Sequence, residues 1–94
     1  MNKQIQRTGS HFVYILKCSN GTYYTGYTKN LEYRIKEHNN KHGAKYLKGR
    51  LPVKLVYAKE YRYYKNALNR ERNIKKMTRK QKEELIWVYN ENKT

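Results

Sequence analysis

Residues 12–28 read FVYILKCSNGTYYTGYT: two runs rich in β-branched and aromatic residues around Ser19-Asn20-Gly21, the pattern of a β-hairpin. Alternate strand residues face opposite sides, so the length of the turn decides which tyrosines meet. A strict two-residue Asn-Gly loop pairs Ser19 with Thr22, sets Tyr14 against Tyr27, and sends Tyr24 to the other face. A three-residue loop closed by a glycine bulge pairs Cys18 with Thr22, Leu16 with Tyr24 and Tyr14 with Gly26. The second register is the expectation here. It gathers Tyr14 and Tyr24 on one face and leaves a gap in the side-chain layer at Gly26. Ordinary strand tyrosines filling a small core would give the same composition.

The rest of the chain supports one small domain. Ninety-four residues, of which 37% are hydrophobic, must build much of their core from 11 tyrosines. A net charge of +15, from 22 Lys+Arg against 7 Asp+Glu, points to a polyanionic partner whose phosphates supply binding energy. An acidic membrane surface fits less well, because the basic residues spread along the chain and no long helix carries a bulky apolar face. No apolar run approaches the ~18 residues of a membrane span. The start, MNKQIQRTGS, has no signal-peptide core. With Cys18 the only cysteine, an internal disulfide is excluded and a cytoplasmic location is expected.

In chain order, residues 1–10 read as a flexible basic lead-in and 91–94 as a polar tail. After the hairpin, Asn30 offers an N-cap with Glu32 in the first helical turn. The helix LEYRIKEHNN carries Leu31 and Ile35 inward, with Arg34 bordering that stripe and four residues before His38. Residues 39–52, NNKHGAKYLKGRLP, form a basic loop in which Lys45, Lys48 and Arg50 suit phosphates and Tyr46 suits stacking; a plain solvated loop would look alike. VKLVYAKE is a third strand, expected to set Val53, Leu55 and Tyr57 on one face. A second helix spans about Tyr63 to Met77. Thr78 and Gln81 then form a capping box for a third helix to about Asn90, with Leu85, Ile86 and Tyr89 inward and Trp87 beside them.

All seven acids are glutamates. That composition argues against a two-metal carboxylate cluster and favours one carboxylate with one ion. Glu71 stands out, four residues after Ala67 and three before Ile74, on the apolar stripe of a strongly basic helix. A buried carboxylate needs a partner; an arginine such as Arg34 would serve, and so would a divalent cation. His38 and His42 with Cys18 make a weak zinc pattern, a mid-strand Cys18 is a poor nucleophile beside His38, and no phosphate-cradling glycine loop is present.

Taken together, VYI (Val13–Ile15), YTG (Tyr24–Gly26), Arg34, His38 and the Ala67–Lys75 run A-x-x-x-E-x-x-I-K resemble the GIY-YIG nuclease family, in particular small stand-alone bacterial proteins in which the catalytic domain is the whole chain. The likeness runs from about residue 11 to 90. It implies an α+β fold, a three-stranded antiparallel sheet flanked by three helices in the order ββαβαα, matching the order read from the residues. It also implies Mg²⁺ or Mn²⁺ held by Glu71, and cleavage of DNA, with repair or recombination as the setting. In that scheme one tyrosine, Tyr14 as first choice and Tyr24 as second, relays a proton from water, Arg34 holds the phosphate, and His38 assists that transfer or hydrogen-bonds a tyrosine. Gly26, Tyr27 and Lys29, with Lys45, Tyr46, Lys48 and Arg50, meet the strand. Departures are visible: only the tyrosine of the first motif is kept in place. The lysine that several relatives carry after the motif glycine is Tyr27 here, with Lys29 displaced. Asn90 matches a late family asparagine loosely. The other expectation is a basic module that binds DNA or RNA without turnover.

Overall fold

A computed structural model of the protein describes residues 8–92. The elements are β1 (Thr8–Lys17), β2 (Tyr23–Thr28), α1 (Leu31–Asn39), a single 3₁₀ turn (Lys45–Leu47), β3 (Lys54–Tyr63), α2 (Tyr64–Lys75) and α3 (Arg79–Glu91). The sheet is antiparallel throughout with strand order β2-β1-β3, so the fold is the expected ββαβαα. β1 begins at Thr8, so residues 8–10 belong to the strand and not to a lead-in; residues 1–7 and 93–94 lie outside the described residues.

The hairpin takes the three-residue register. Cys18 N–H donates to the Thr22 carbonyl at 2.8 Å, and Leu16 pairs with Tyr24 and Tyr14 with Gly26. Gly21 adopts φ +88°, the left-handed conformation that closes the turn at no steric cost. Asn20 Oδ1 accepts from both the N–H and the hydroxyl of Thr22, at 3.2 and 2.8 Å, fixing the loop length.

Each face of the sheet carries its own core, as the alternation in β1 requires. Val13 and Ile15 pack with Tyr57, Ala67 and Ile74 under α2 and α3. Tyr14, Leu16 and Cys18 pack with Leu47, Val53, Leu31 and Ile35 under α1 and the basic loop. A register shift between Ile15 and Leu16, where β3 passes from Tyr57 to Leu55, corrects the expectation for the third strand. Val53 and Leu55 join the α1 face, whereas Tyr57 crosses to the α2/α3 face. Period two holds only between bulges.

Helix ends follow their caps. Asn30 Oδ1 accepts from Tyr33 N–H at 3.1 Å, and the Thr78/Gln81 box is reciprocal at 3.2 and 2.9 Å. Trp87, placed beside the inward face of α3 from sequence, is 63% exposed, because the stripe of Leu85, Ile86 and Tyr89 leaves it on the outer side.

Candidate active site

The site forms at β2, the edge strand, because that is where Tyr14 reaches out from the central strand. Its hydroxyl lies directly over Gly26: a Cβ on that residue would stand 2.5 Å from the Tyr14 oxygen and 2.6 Å from Cζ. The gap read from the sequence is therefore filled by the phenol itself. Tyr24, two residues back on the same face, tilts against Tyr14 with centroids 6.4 Å apart.

His38, 1% exposed at the end of α1, closes this group from above. Its Nδ1 accepts the Ala44 N–H at 3.3 Å, so its proton belongs on Nε2, which donates to Tyr14 Oη at 2.9 Å. Gly43 makes that arrangement fit, since a Cβ there would fall 1.9 Å from Nδ1. Burial holds the His38 imidazole below its ordinary range, which keeps it neutral and a single-proton donor. Burial, reinforced by neighbouring Tyr24, pushes the Tyr14 phenol up to about 12, opposed by the Arg34 guanidinium.

Arg34 and Glu71 approach the phenols from different helices. Arg34 on α1 makes a half-exposed ion pair with Glu37 at 2.9 Å, and Glu71 on α2 pairs with Lys75 at 3.1 Å. The two are not each other's partner, which answers one of the alternatives for Glu71. The charges of both still act on Tyr14. The Glu71 side chain is 17% exposed, neither in solvent nor sealed in the core. Its hard oxygen donor suits Mg²⁺ or Mn²⁺, which take one protein carboxylate and complete their shell with water and phosphate. No group of three or more His, Cys, Asp or Glu side chains clusters among the described residues, so a polydentate protein cage is not built here.

The basic loop lies alongside. Ser19 N–H donates to the Arg50 carbonyl at 2.9 Å, and Asn39 exchanges two hydrogen bonds with Val53, tying the loop to the hairpin and α1. A cavity of about 640 Å³ opens between His38, Lys41, Lys45, Leu47 and Lys48. Tyr46 stacks on Tyr24 at 5.9 Å and carries the Arg50 guanidinium 4.2 Å from its ring centroid. The ring expected to stack on a base is thus already engaged by protein, and Arg50 is drawn inward by a 2.6 Å bond from Nη1 to the Tyr46 carbonyl. Lys29 is exposed just past β2. Asn90 is exposed in the last turn of α3, next to Tyr89, which packs on Tyr57 of β3, the edge strand opposite β2.

Tyr27 sits on the α2 side of the edge, where its hydroxyl meets His11 Nδ1 at 2.7 Å. His11 escaped the sequence reading. The signal for it was the alternation in HFVYIL, which sets His11 on the same inward face as Val13 and Ile15.

Residues 10–84 match the GIY-YIG catalytic domain, and the chain belongs to that family, a family of nucleases acting on nucleic acid, generally with a divalent metal ion. Among its relatives, a UPF0213 protein of Clostridium perfringens is 57% identical over 76 residues, covering 81% of this chain and 82% of that protein. A UPF0213 protein of Staphylococcus aureus is 53% identical over 77 residues, covering 82% and 94%. The solution structure of a UPF0213 protein from Bacillus halodurans aligns with a TM-score of 0.58 at 40% identity over 85% of each chain. The solution structure of a protein from E. faecalis aligns with a TM-score of 0.61 at 37% identity over 92% of each chain. No helix among the described residues is long and apolar enough to cross a membrane.

Proposed function

We propose that this chain is a metal-dependent endonuclease that hydrolyses DNA phosphodiester bonds, with Mg²⁺ or Mn²⁺ held by Glu71. The observation that carries the reading is the Tyr14 hydroxyl lying over Gly26 at an open strand edge, with α1 supplying Arg34 from one side and α2 supplying Glu71 from the other. The net charge of +15 draws a polyphosphate to that edge.

Arg34 exchanges Glu37 for the scissile phosphate, its planar fork matching two oxygens. Tyr14, its own proton passed to solvent and its phenolate held by the His38 Nε2–H, takes a proton from the attacking water and returns to the phenol. Glu71 would hold the divalent ion, which would supply charge neutralisation at the phosphate and ease ionisation of water and phenol. Tyr24 packs Tyr14 and His38 into place. Lys45 and Lys48 hold the flanking backbone. Repair or recombination of branched DNA is the setting proposed for that activity.

The test is nicking of plasmid and branched DNA in Mg²⁺ or Mn²⁺, comparing wild type with Glu71→Ala, Arg34→Ala and Tyr14→Phe. Each variant should lose ~10²-fold or more; cleavage that survives Glu71→Ala refutes the reading. A second reading, binding of DNA or RNA without turnover, is favoured by the Lys75 ammonium already on Glu71. It predicts equal binding by all four proteins and cleavage by none.

A further inference from the structure

Beyond the site just described, the opposite face of the sheet carries a second phenol–imidazole pair, Tyr27 of β2 with His11 of β1. His11 is 1% exposed, and its Nδ1 lies 2.7 Å from Tyr27 Oη. The two rings stack at 5.9 Å, and Tyr64 closes on them at 5.7 and 5.4 Å. His11 Nε2 is buried with no hydrogen-bond partner among the described residues. A proton there would be an orphaned buried donor, a state native proteins rarely hold. The proton therefore belongs on Nδ1, and His11 donates to Tyr27. A phenol O–H lies in its ring plane in one of two directions; with His11 occupying one, the Tyr27 proton is turned the other way.

Tyr27 and Gly26 are consecutive, so they face opposite sides of the same edge strand. Tyr14, whose hydroxyl covers Gly26, flanks that edge from one side and Tyr27 from the other, and the Glu71 charge acts on both phenols. An in-line displacement needs a proton acceptor on the water's side and a donor on the departing side. Tyr14 with His38 makes the first pair. Tyr27 with His11 has the form of the second.

We propose that Tyr27 is the proton donor to the departing 3′ oxygen and that His11 is its positioning residue; this rests on the nuclease reading above. The P–O3′ bond breaks with its electron pair going to O3′, which takes the Tyr27 proton and leaves as a 3′ hydroxyl. The attacking water, having given one proton to Tyr14, leaves its oxygen on phosphorus. The Tyr27 phenolate, held by His11 Nδ1–H, regains a proton from solvent.

The experiment compares an ordinary DNA duplex with one carrying sulfur at the bridging 3′ position of the scissile bond, in Mn²⁺, for wild type, Tyr27→Phe, His11→Phe and His11→Asn. A thiolate leaves without a proton. Tyr27→Phe should lose ~10²–10⁴-fold in kcat on the oxygen substrate and less than about tenfold on the sulfur one. His11→Phe should lose about tenfold or more on oxygen alone, and His11→Asn, whose amide N–H stands near the Nδ1 position, should recover most of it. Nitrogen NMR of wild type should find the His11 proton on Nδ1. Equal losses on both substrates, or the proton on Nε2, overturn the proposal while leaving the nuclease reading standing. A wild type silent on both substrates overturns both. Tyr27→Phe keeps the half-buried ring and carries the test by itself if the His11 variants fail to fold.

Discussion

Gly26→Ala is the sharpest probe of the site, because one methyl group is aimed at one hydroxyl. The added Cβ would meet Tyr14 Oη at 2.5 Å, Cζ at 2.6 Å and Cε1 at 3.1 Å. Ordinary carbon contacts begin near 3.5 Å, so the phenol must retreat by roughly 1 Å. It has little room, since the ring is 1% exposed and its hydroxyl is held by His38. Overpacking of this kind costs about 1–3 kcal/mol. In a chain of this size that lowers Tm by about 4–8 °C per kcal/mol. A displacement of about 1 Å at a reacting group lowers kcat by ~10²-fold. Both effects are measurable, by thermal melts and by single-turnover nicking. In a Tyr14→Phe background the methyl should still lower Tm, since Cζ remains, yet add little to the loss of rate. Gly21→Ala is the contrast: it has open space around it but φ +88°, so it should cost stability and spare kcat. Wild-type turnover by Gly26→Ala at unchanged substrate affinity would refute the placement of Tyr14 as the group that meets water.

Other outcomes follow from the same geometry. Gly43→Ala puts a Cβ 1.9 Å from His38 Nδ1, so it should uncouple His38 from Tyr14 and lower kcat about tenfold or more, read against a folded circular dichroism spectrum. Glu37→Gln releases Arg34 from its surface ion pair, so catalytically inert DNA should bind about twofold to fivefold tighter in low salt by fluorescence anisotropy. Burial lowers His38 below its ordinary 6.5, so the folded state binds fewer protons than the unfolded one just under that value. Its contribution to stability is thus complete above 6.5 and lost as pH falls through the lower folded value; urea melts at pH 7 and 5 should differ more for wild type than for His38→Gln. Thr78→Ala removes the capping box of α3, whose two hydrogen bonds join only Thr78 and Gln81, and should cost about 1 kcal/mol in urea melts while leaving kcat intact.

The hairpin register was legible because a turn obeys local chemistry: Asn20 and Gly21 fix the loop, and period two does the rest. The helix starts at Asn30 and Thr78 were legible for the same reason. Glu71 was found as an acid on an apolar stripe, and the structure keeps it half-buried there. What escaped was set by distant partners. The β3 bulge that moves Tyr57 across the sheet answers to packing against Ile15 and Leu16, which no window of β3 contains. Tyr46 is met by Tyr24 and Arg50, contacts that the composition of its loop does not disclose. His11 lay on the correct alternation, but its role depends on Tyr27, sixteen residues away.

The use of tyrosine for the core also explains where the proposed chemistry falls. A tyrosine on a central strand buries its ring and must lead its hydroxyl to a partner. Tyr14, on β1, runs out over the neighbouring strand until its oxygen reaches the edge, which is possible only because Gly26 has no side chain. Its neighbour on the same face, Leu16, has no such oxygen and ends in the core. An edge strand offers unpaired backbone and two accessible faces, so a phosphate there is met from α1 and α2 at once. A central-strand phenol emptied onto the middle of a sheet would meet only one helix and no substrate. The same residue types that let a chain with 37% hydrophobic residues fold therefore set phenols at the edge to which the proposed function brings a polyanion.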